Sequence, residues 1–542
     1  MEYGNLLNWI IFLPTLAAIA CLVVPSTKGV KWIAVLASGA TLLLSLALFQ
    51  HFAWWDRDLG DIFGATYGQK LYQVTRLTWI TFGEGQGASK IEYFVGIDGL
   101  SFPLVILTTL VSFLACLASW NFEHWKVSRG ARGYFALFLL LETGMLGVFC
   151  ALDFFLFYIF WEVMLLPMYF LIGVWGGPRK EYAAIKFFIY TLAGSVLMLV
   201  VLLAFYFYAP PGYRTFDLIR MATDASIQGA FRDATFLGLK FAPVMFVLLY
   251  IGFAIKIPVF PFHTWLPDAH VEAPTPISMI LAGILLKMGA YGLLRISYPI
   301  LPEAGHWAAY GLALLGVINI IYGALCAMAQ TDFKRLVAYS SISHMGYVLL
   351  GMAIMTPAGL QGAMFQVIAH GISSPMCFFL VGVIYDRAHH RDINRFGGLW
   401  LTMPVYGSLA TVGFFASLGL PGLCGFIGEF WVLIATFASG WAWAKPMAIL
   451  AASGVILTAG YILWMIQRVY LGPQKPEYAG YPEANWREIA ILAPFAVLAI
   501  ALGILPEQTV FRFMNGTLGQ ITELFKTDSQ TITNVAQAML GG

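Results

Sequence analysis

Four ionisable residues lie inside long apolar stretches of this 542-residue chain. Glu162 lies in FLFYIFWEVMLLPMYFLIG, Lys256 in LLYIGFAIKIPVFPFHTWLP, Lys287 in ISMILAGILLKMGAYGLL and Glu429 in SLGLPGLCGFIGEFWVLIATF. A charge at the centre of a membrane span costs about 2.5–3.5 kcal/mol, so four unpaired charges would cost about 10–14 kcal/mol together. A structural ion pair or snorkelling could explain one such residue. A set of four at mid-depth favours a path along which a proton or another ion moves.

Two histidines in neighbouring apolar stretches extend this set. They are His344 in VAYSSISHMGYVLLG and His370 in FQVIAHGISSPMCFF. Histidine titrates near physiological pH, so a buried histidine can pass a proton between neighbours. Each one alone is more typical of a hydrogen-bonded core histidine, and the pair could also ligate a haem. Nothing else marks a haem pocket, and we place His344 with the four charged residues as a candidate relay.

Two of the stretches that carry charges are also interrupted by helix breakers. Pro258 follows Lys256 by two residues, and Pro421 lies within GLPG shortly before Glu429. Proline removes a backbone donor, and broken helices at membrane depth are tolerated where they line a polar cavity. A kink used only for packing could explain either break alone. Two breaks, each near a buried charge, indicate a repeated unit that contains one broken helix.

The composition requires that these residues be held by membrane-spanning helices. Of all residues, 60% are hydrophobic and only 11% are charged, which excludes a soluble globular enzyme, a disordered chain and a nucleic-acid-binding protein. A span needs about 20 mainly apolar residues, and lipid cannot satisfy free backbone groups, so the spans must be helices. Fourteen spans are predicted: 8–24, 32–52, 99–120, 134–151, 153–174, 186–208, 241–266, 275–297, 307–328, 336–355, 362–384, 404–437, 447–469 and 486–504.

The predicted fold is an all-α polytopic membrane domain that covers 1–542 without a long polar linker. The breaks fall in the seventh and twelfth spans, and this offset of five predicts two five-helix repeats, spans 4–8 and 9–13, inverted relative to each other. The predicted domain consists of spans 1–3 (1–133), the first repeat (134–297), the second repeat (307–469), and the last span with the tail (486–542). The tail from Glu507 to Met539 is predicted to be an amphipathic helix. Two long loops, 53–98 and 209–240, are expected to carry short helices or strands.

The distribution of Lys and Arg predicts the orientation. Fifteen lie in loops on one side of the membrane, mostly short ones, and ten lie on the other side, termini included. By the positive-inside rule the first side is cytoplasmic, so both termini are expected outside. The predicted cytoplasmic side carries Lys28, Lys31, Lys126, Arg129, Arg132, Arg179, Lys180, Lys334, Arg335, Arg387, Arg391, Arg395, Arg468, Lys475 and Arg487. The other side carries Arg57, Lys70, Arg76, Lys90, Arg214, Arg220, Arg232, Lys445, Arg512 and Lys526.

No motif in the chain binds a nucleotide or a redox group. There is no GxGxxG at a strand-to-helix turn, no GxxxxGK[ST] and no cysteine cluster; the six cysteines lie singly in apolar runs. Whatever drives ion movement must therefore act on this chain from outside.

These residues and their surroundings resemble the antiporter-like membrane-arm subunits of respiratory complex I, the proton-pumping NADH:quinone oxidoreductase. The resemblance is carried by the segments 154–173, 186–195, 256–295, 331–351 and 416–430, of which 256–295 is long and specific. The large subunits of Mrp-type sodium/proton antiporters share that segment. Glutamate rather than lysine at position 429, with the length of 542 residues, resembles the M-type chain, which is subunit 4 in the mitochondrial nomenclature.

The resemblance implies a role for each candidate residue. Glu162 resembles the glutamate of span 5, Lys256 the lysine of the broken helix, Lys287 the connecting lysine and Glu429 the exit carboxylate, while His344 matches a polar site in span 10. It implies partners among the other membrane-arm subunits in a lipid bilayer, with FMN, iron–sulfur clusters and quinone in partner subunits and no cofactor or metal in this chain. The implied location is the bacterial inner membrane, with the mitochondrial inner membrane as the less favoured possibility.

Two other interpretations remain open from the sequence. One is a sodium/proton antiporter subunit of an Mrp-type complex, which Glu429 disfavours. The other is an arm subunit with a purely structural role, which the four mid-depth charges beside paired breaks disfavour.

Overall fold

The computed structural model describes residues 5–50, 71–82, 89–124 and 130–539, and within these ranges the chain is mostly helical. Arg57, Lys70, Lys126 and Arg129, which contributed to the predicted orientation, lie outside the described residues, as does the first part of the loop 53–98.

The helices follow the chain in this order: α1 Asn5–Val23, α2 Thr27–Ala47, α3 Ser101–Ala118, α4 Ala131–Cys150, α5 Phe154–Val163, α6 Leu165–Trp175, α7 Lys180–Tyr208, α8 Leu218–Thr223, α9 Ala225–Asp233, α10 Phe241–Lys256, α11 Trp265–Glu272, α12 Thr275–Ile280, α13 Leu286–Gly292, α14 Tyr298–Ile300, α15 Pro302–Met328, α16 Phe333–Ala353, α17 Pro357–Ala388, α18 Leu399–Thr402, α19 Pro404–Leu418, α20 Cys424–Ala438, α21 Ala444–Val469, α22 Trp486–Ile504 and α23 Arg512–Met539. π-helical turns over Leu281–Leu285, Leu293–Ser297 and Glu507–Phe511 adjoin α13 and α23. Short 3₁₀ turns cover Leu48–Gln50, Ser119–His124, Ile393–Arg395 and Pro476–Tyr478.

The all-α polytopic fold predicted from the sequence is confirmed. Within the described residues, twelve helical segments are long and apolar enough to cross a membrane. The predicted seventh and twelfth spans are each divided into shorter helices, α10 with α11 and α19 with α20. Each of the fourteen predicted spans thus coincides with a helix or a pair of helices, whereas the division into inverted repeats stays a prediction.

The helices that carry Lys287, His344 and His370 lie at the centre of the molecule. The apolar windows of Thr275–Ile300 and Pro357–Ala388 are entirely buried by the rest of the chain, whereas only a third of the window in Thr27–Gln50 is buried. An apolar outer helix is stable against lipid, but a helix that carries charge needs protein around it. The central helices are therefore α12–α14, α16 and α17.

A third interruption, which the sequence analysis missed, divides the predicted span 153–174. Helix α5 ends at Val163 and α6 begins at Leu165. Pro167 explains this break, because proline has no N–H to donate to the carbonyl four residues earlier, at Val163. Glu162 thus lies at the end of a half-helix.

The predicted structure in the two long loops is present where the chain is described. Strands β1 Tyr72–Phe82 and β2 Ser89–Ile97 form an antiparallel hairpin, and the second loop contains α8, α9 and the short pair β3 Thr235–Phe236 and β4 Leu239–Lys240. Arg76 of β1 joins the two loops, since it contacts Glu92 and lies 2.8 Å from Asp217.

The predicted amphipathic tail is helical, and its apolar face packs on the chain's own helices. Met514, Leu518, Ile521 and Phe525, spaced by four, three and four residues, are buried. Gly99 allows this docking, because a Cβ atom there would lie only 2.0 Å from the carbonyl oxygen of Phe513.

A buried ion pair lies beside the tail at the end of the eighth span. Arg295 donates to Asp98 at 2.7 and 2.8 Å, and both side chains are almost fully buried. Asp98 also accepts from the backbone N–H groups of Leu100 and Ser101 at the start of α3. All these polar groups are satisfied, so the pair is structural.

Candidate proton pathway

Glu429 lies on the second half of the broken twelfth span. Helix α19 ends at Leu418, and Gly419 and Gly422 have left-handed backbone conformations, with φ of +83° and +91°. Glycine adopts this conformation without strain, so the chain can turn before α20 begins at Cys424. The Glu429 carboxylate reaches back toward Gly419, where a Cβ atom would lie 3.0 Å from its Oε2.

His344 on α16 contacts both sides of this break. Its Nδ1 lies 3.0 Å from Glu429 Oε1, and its Nε2 lies 3.2 Å from Ser417 Oγ. Both side chains of the His344–Glu429 pair are nearly fully buried. The two contacts hold the ring in one orientation, with a proton donor or acceptor at each nitrogen.

Lys287 on α13 reaches the same cluster through His370. Its Nζ lies 2.5 Å from His370 Nδ1 and 2.5 Å from the carbonyl oxygen of Ala282. The rings of His370 and His344 are 5.6 Å apart between centroids. When Lys287 is an ammonium it donates to Nδ1 of His370, and the hydrogen of a neutral His370 ring is then on Nε2.

The four side chains form one continuous line of buried titratable groups, Lys287–His370–His344–Glu429, which we call the central line. It joins the eighth span to the twelfth through α17 and α16. The predicted site contained Lys287, His344 and Glu429 but left out His370, although the sequence had shown it in the adjacent span. The direct contact with Lys287 makes His370 the connecting group.

Lys256 is the last residue of α10, immediately before the break in the seventh span. Its Nζ lies 5.2 Å from the ring centroid of Trp161 and 5.5 Å from that of Phe187, and within the described residues it has no hydrogen-bond partner. The negative end of a helix dipole and aromatic faces both favour a cation. The amine of Lys256 thus lies between two aromatic rings at the C-terminal end of a helix, with no fixed hydrogen bond among the described residues.

Glu162 does not form a direct ion pair with Lys256. It lies one residue from the end of α5 and is half-buried, and its Oε1 has no hydrogen-bond partner among the described residues. No oxygen–nitrogen contact within 4.0 Å joins it to Lys256, whose Nζ faces the ring of Trp161, the residue before Glu162 on α5. Any effect of the carboxylate on Lys256 is therefore exerted through its electric field, at longer range.

Helix α13 packs directly against the end of α10, so that Lys256 and Lys287 flank one interface. Gly289 makes this approach possible, because a Cβ atom there would lie 2.6 Å from the carbonyl oxygen of Phe253 and 2.7 Å from Cγ1 of Ile257.

The half-helix α11, after the break, is held to α7 by three polar contacts. Thr264, Asp268 and Glu272 are spaced four residues apart and so lie on one helical face. Tyr190 contacts Thr264 at 3.0 Å, Lys186 donates to Asp268 at 2.8 Å, and the backbone N–H of Arg179 donates to Glu272 at 2.9 Å.

Sequence reasoning also missed Glu142, a fully buried carboxylate on α4. Neither of its oxygens has a hydrogen-bond partner among the described residues. The signal was present, because Glu142 lies within LLLETGMLG in the predicted span 134–151, where the rule applied to Glu162 also applies.

The two left-handed glycines separate backbone strain from contact with Glu429. Replacing either by alanine places a Cβ atom in a left-handed conformation, which costs about 1–2 kcal/mol. Only Gly419→Ala also displaces Glu429, because nothing lies within 4 Å of a Cβ atom at Gly422. We expect both variants to lower the thermal stability of the protein, and only Gly419→Ala to lower proton pumping as well. Equal pumping by the two variants would contradict this placement of Glu429, and Gly311→Ala, in open space within α15, is the unstrained control.

The comparisons with known proteins assign this architecture to a family. A family model described as NADH:quinone oxidoreductase/Mrp antiporter, TM, matches residues 151–458, which contain every residue of the central line. The chain belongs to this family. A second model, NADH-ubiquinone oxidoreductase chain 4, amino terminus, matches residues 41–147. The resemblance seen in the sequence is therefore confirmed.

Individual members of the NADH:quinone oxidoreductase/Mrp antiporter family match nearly the whole chain. NAD(P)H-quinone oxidoreductase chain 4 1 of Synechococcus sp. (strain JA-3-3Ab) is 41% identical and covers 92% of this chain and 90% of its own length. NADH-quinone oxidoreductase subunit M of Rhodobacter capsulatus is 38% identical, with 99% of both chains covered. A chain of respiratory complex I from Thermus thermophilus has a TM-score of 0.79 at 28% identity and covers 96% of this chain and 99% of its own.

Proposed function

We propose that this chain is an M-type proton-translocating subunit in the membrane arm of a respiratory NADH:quinone oxidoreductase. The central line carries the proposal, since it joins the eighth span to the broken twelfth span through four buried side chains that can each gain and lose a proton. The nearly full-length similarity of the chain to subunit M and chain 4 proteins supports the complex I assignment over an Mrp antiporter.

The proposed mechanism begins at Lys256. Burial disfavours its ammonium form, whereas the negative charge of Glu162 favours it, so a change in the field of Glu162 switches whether Lys256 holds its proton. A proton released there moves to Lys287 across the α10–α13 interface. His370 and His344 then pass it to Glu429, the exit carboxylate beside the second break.

The energy for this cycle comes from partner subunits. FMN, iron–sulfur clusters and quinone act in those subunits, and this chain contributes no redox centre of its own. In this assignment the chain lies in the bacterial inner membrane with both termini on the non-cytoplasmic side, and it contacts the other antiporter-like subunits of the arm.

The test is to purify the intact complex through an affinity tag on this chain and to reconstitute it in vesicles. We expect flavin and iron–sulfur absorbance to co-purify with the tag, and NADH addition to generate a proton gradient that a protonophore collapses. Sodium/proton exchange without flavin or iron–sulfur absorbance would instead identify an Mrp-type antiporter. A redox complex whose pumping is unchanged when Glu162 and Lys256 are replaced would leave the chain a structural role.

A further inference from the structure

The break after Lys256 exposes backbone groups that must find partners inside the protein. Helix α10 ends at Lys256 and α11 begins at Trp265, so eight residues between them lack regular helical hydrogen bonds. Lipid offers no hydrogen-bond partner at membrane depth, so each backbone N–H or C=O left free there is costly. Where these groups are satisfied decides how firmly the end of α10 is held.

Part of the break is satisfied locally. The N–H groups of Ile257, Val259 and Phe262 donate to Phe253, Ala254 and Val259, respectively, at 2.7–2.9 Å. Pro258 and Pro261 have no N–H to satisfy. The N–H of Phe260 and the C=O of Pro258 are among the groups that have no backbone partner in the described residues.

A single side chain from another span satisfies both groups. Asn319, on α15, accepts from the Phe260 N–H at 2.7 Å through Oδ1 and donates to the Pro258 carbonyl at 3.1 Å through Nδ2. The asparagine is fully buried. Like a peptide group, its side-chain amide offers an acceptor oxygen and a donor nitrogen. The N–H and the C=O that it faces therefore determine the positions of its oxygen and nitrogen atoms.

Asn319 also links the break to the helix that carries His344. Its Nδ2 lies 3.5 Å from the carbonyl oxygen of Ile342, two residues before His344 on α16. The residue therefore lies between the region of Lys256 and the helix of the central line, 61 residues along the chain from Pro258 and 59 from Phe260.

We infer that Asn319 is a positioning residue for proton transfer at Lys256: its amide forms hydrogen bonds with the backbone of Pro258 and Phe260 and so fixes the end of α10 that carries Lys256. Asn319 does not touch the Lys256 side chain and acts through the backbone. This inference rests on the proposed function, because it matters to pumping only if Lys256 carries protons.

The test compares three variants in the assembled, reconstituted complex. N319L keeps the side-chain size but removes both hydrogen bonds. N319D is the conservative variant, because a protonated aspartic acid at this buried site can accept from Phe260 and donate to Pro258. S343A is the matched control, since Ser343 is fully buried on the facing helix and donates to Ile320 of α15 at 2.8 Å without touching the break.

Two quantities are measured on each variant: hydrogen exchange of the backbone amides over 257–264, and the number of protons pumped per NADH oxidised. In N319L we expect hydrogen exchange of the backbone amides over 257–264 to rise about tenfold or more. We expect protons pumped per NADH to fall about tenfold. N319D should recover both quantities to within about threefold of the unmodified complex, and S343A should stay within about twofold on both.

The outcomes separate this inference from the proposed function. Unchanged exchange and pumping in N319L, or an equal loss in S343A, would overturn the role of Asn319 while the proposed function stands. If N319L fails to assemble, N319D is the deciding variant. Slow hydrogen exchange over 257–264 together with proton pumping in N319D supports the positioning role of Asn319. Fast exchange over this segment with full pumping contradicts it. Normal pumping by the Lys256→Ala variant would instead overturn the proposed function itself.

Discussion

Replacing Lys256 by alanine is expected to abolish NADH-driven proton pumping while the complex still assembles. The proposed switch consists of this one ammonium, and no other amine lies at the end of α10 to replace it. We expect acidification of reconstituted vesicles to fall below about one tenth of the unmodified rate, as for loss of an essential proton-transfer group. Assembly is followed by flavin content and by NADH oxidation with an artificial acceptor.

Two further variants show whether Lys256 carries a proton or only a charge. Lys256→Arg keeps a cation over the rings of Trp161 and Phe187, but guanidinium does not release its proton, so pumping should be lost as well. Lys240→Ala is the matched control, because Lys240 is exposed at the other end of the same helix. Pumping by Lys256→Arg at the unmodified rate would contradict proton transfer through this residue.

The same reasoning applies to Glu162, the carboxylate that we propose controls Lys256. Glu162→Gln keeps the shape of the side chain and removes the negative charge, and the field on Lys256 is lost with it. We expect pumping to fall to a similar extent, whereas Glu181→Gln, at an exposed position in the first turn of α7, should leave it unchanged.

Interrupting the central line at His370 is the second change expected to have a large effect. In His370→Gln the amide oxygen can still accept from Lys287, but the side chain cannot take up and release a proton. We therefore expect assembly to be kept and pumping to fall about tenfold or more. His370→Leu removes the acceptor as well and leaves the buried amine of Lys287 with fewer partners, which costs about 1–3 kcal/mol of stability.

A loop histidine is the control for this prediction. His389 is exposed at the end of α17, so His389→Gln should leave pumping and assembly unchanged. If His370→Gln pumped at the unmodified rate, protons would not pass through His370, and the route between Lys287 and Glu429 would have to bypass the central line.

Much of the candidate site could be predicted because charge is scarce in this chain. With 11% charged residues, a lysine or glutamate inside an apolar run stands out against its surroundings, and Lys256, Lys287 and Glu429 were found in this way. All three are buried in the structure. The breaks at Pro258 and Pro421 could be predicted for a similarly local reason, since proline and left-handed glycine act on the backbone of their own segment.

The pairing of these residues could not be predicted. The aromatic neighbours of the Lys256 amine, Trp161 and Phe187, were not foreseen. Which neighbour a side chain touches depends on the rotation and depth of helices far apart in sequence. The break at Met164 could have been expected from Pro167, but one proline in an otherwise apolar span was a weak signal.

Local sequence patterns were therefore enough to predict the class of fold, the positions of the apolar helices and the residues that must be shielded from lipid, because each of these follows from the local cost of placing a charge or a free backbone group in a membrane. The connections between the buried groups are visible only in the folded chain. Lys287 and His370 are 83 residues apart, His344 and Glu429 are 85 apart, and Asn319 is 59 residues from Phe260. Contacts over such separations are set by the packing of whole helices, which no local pattern of residues specifies.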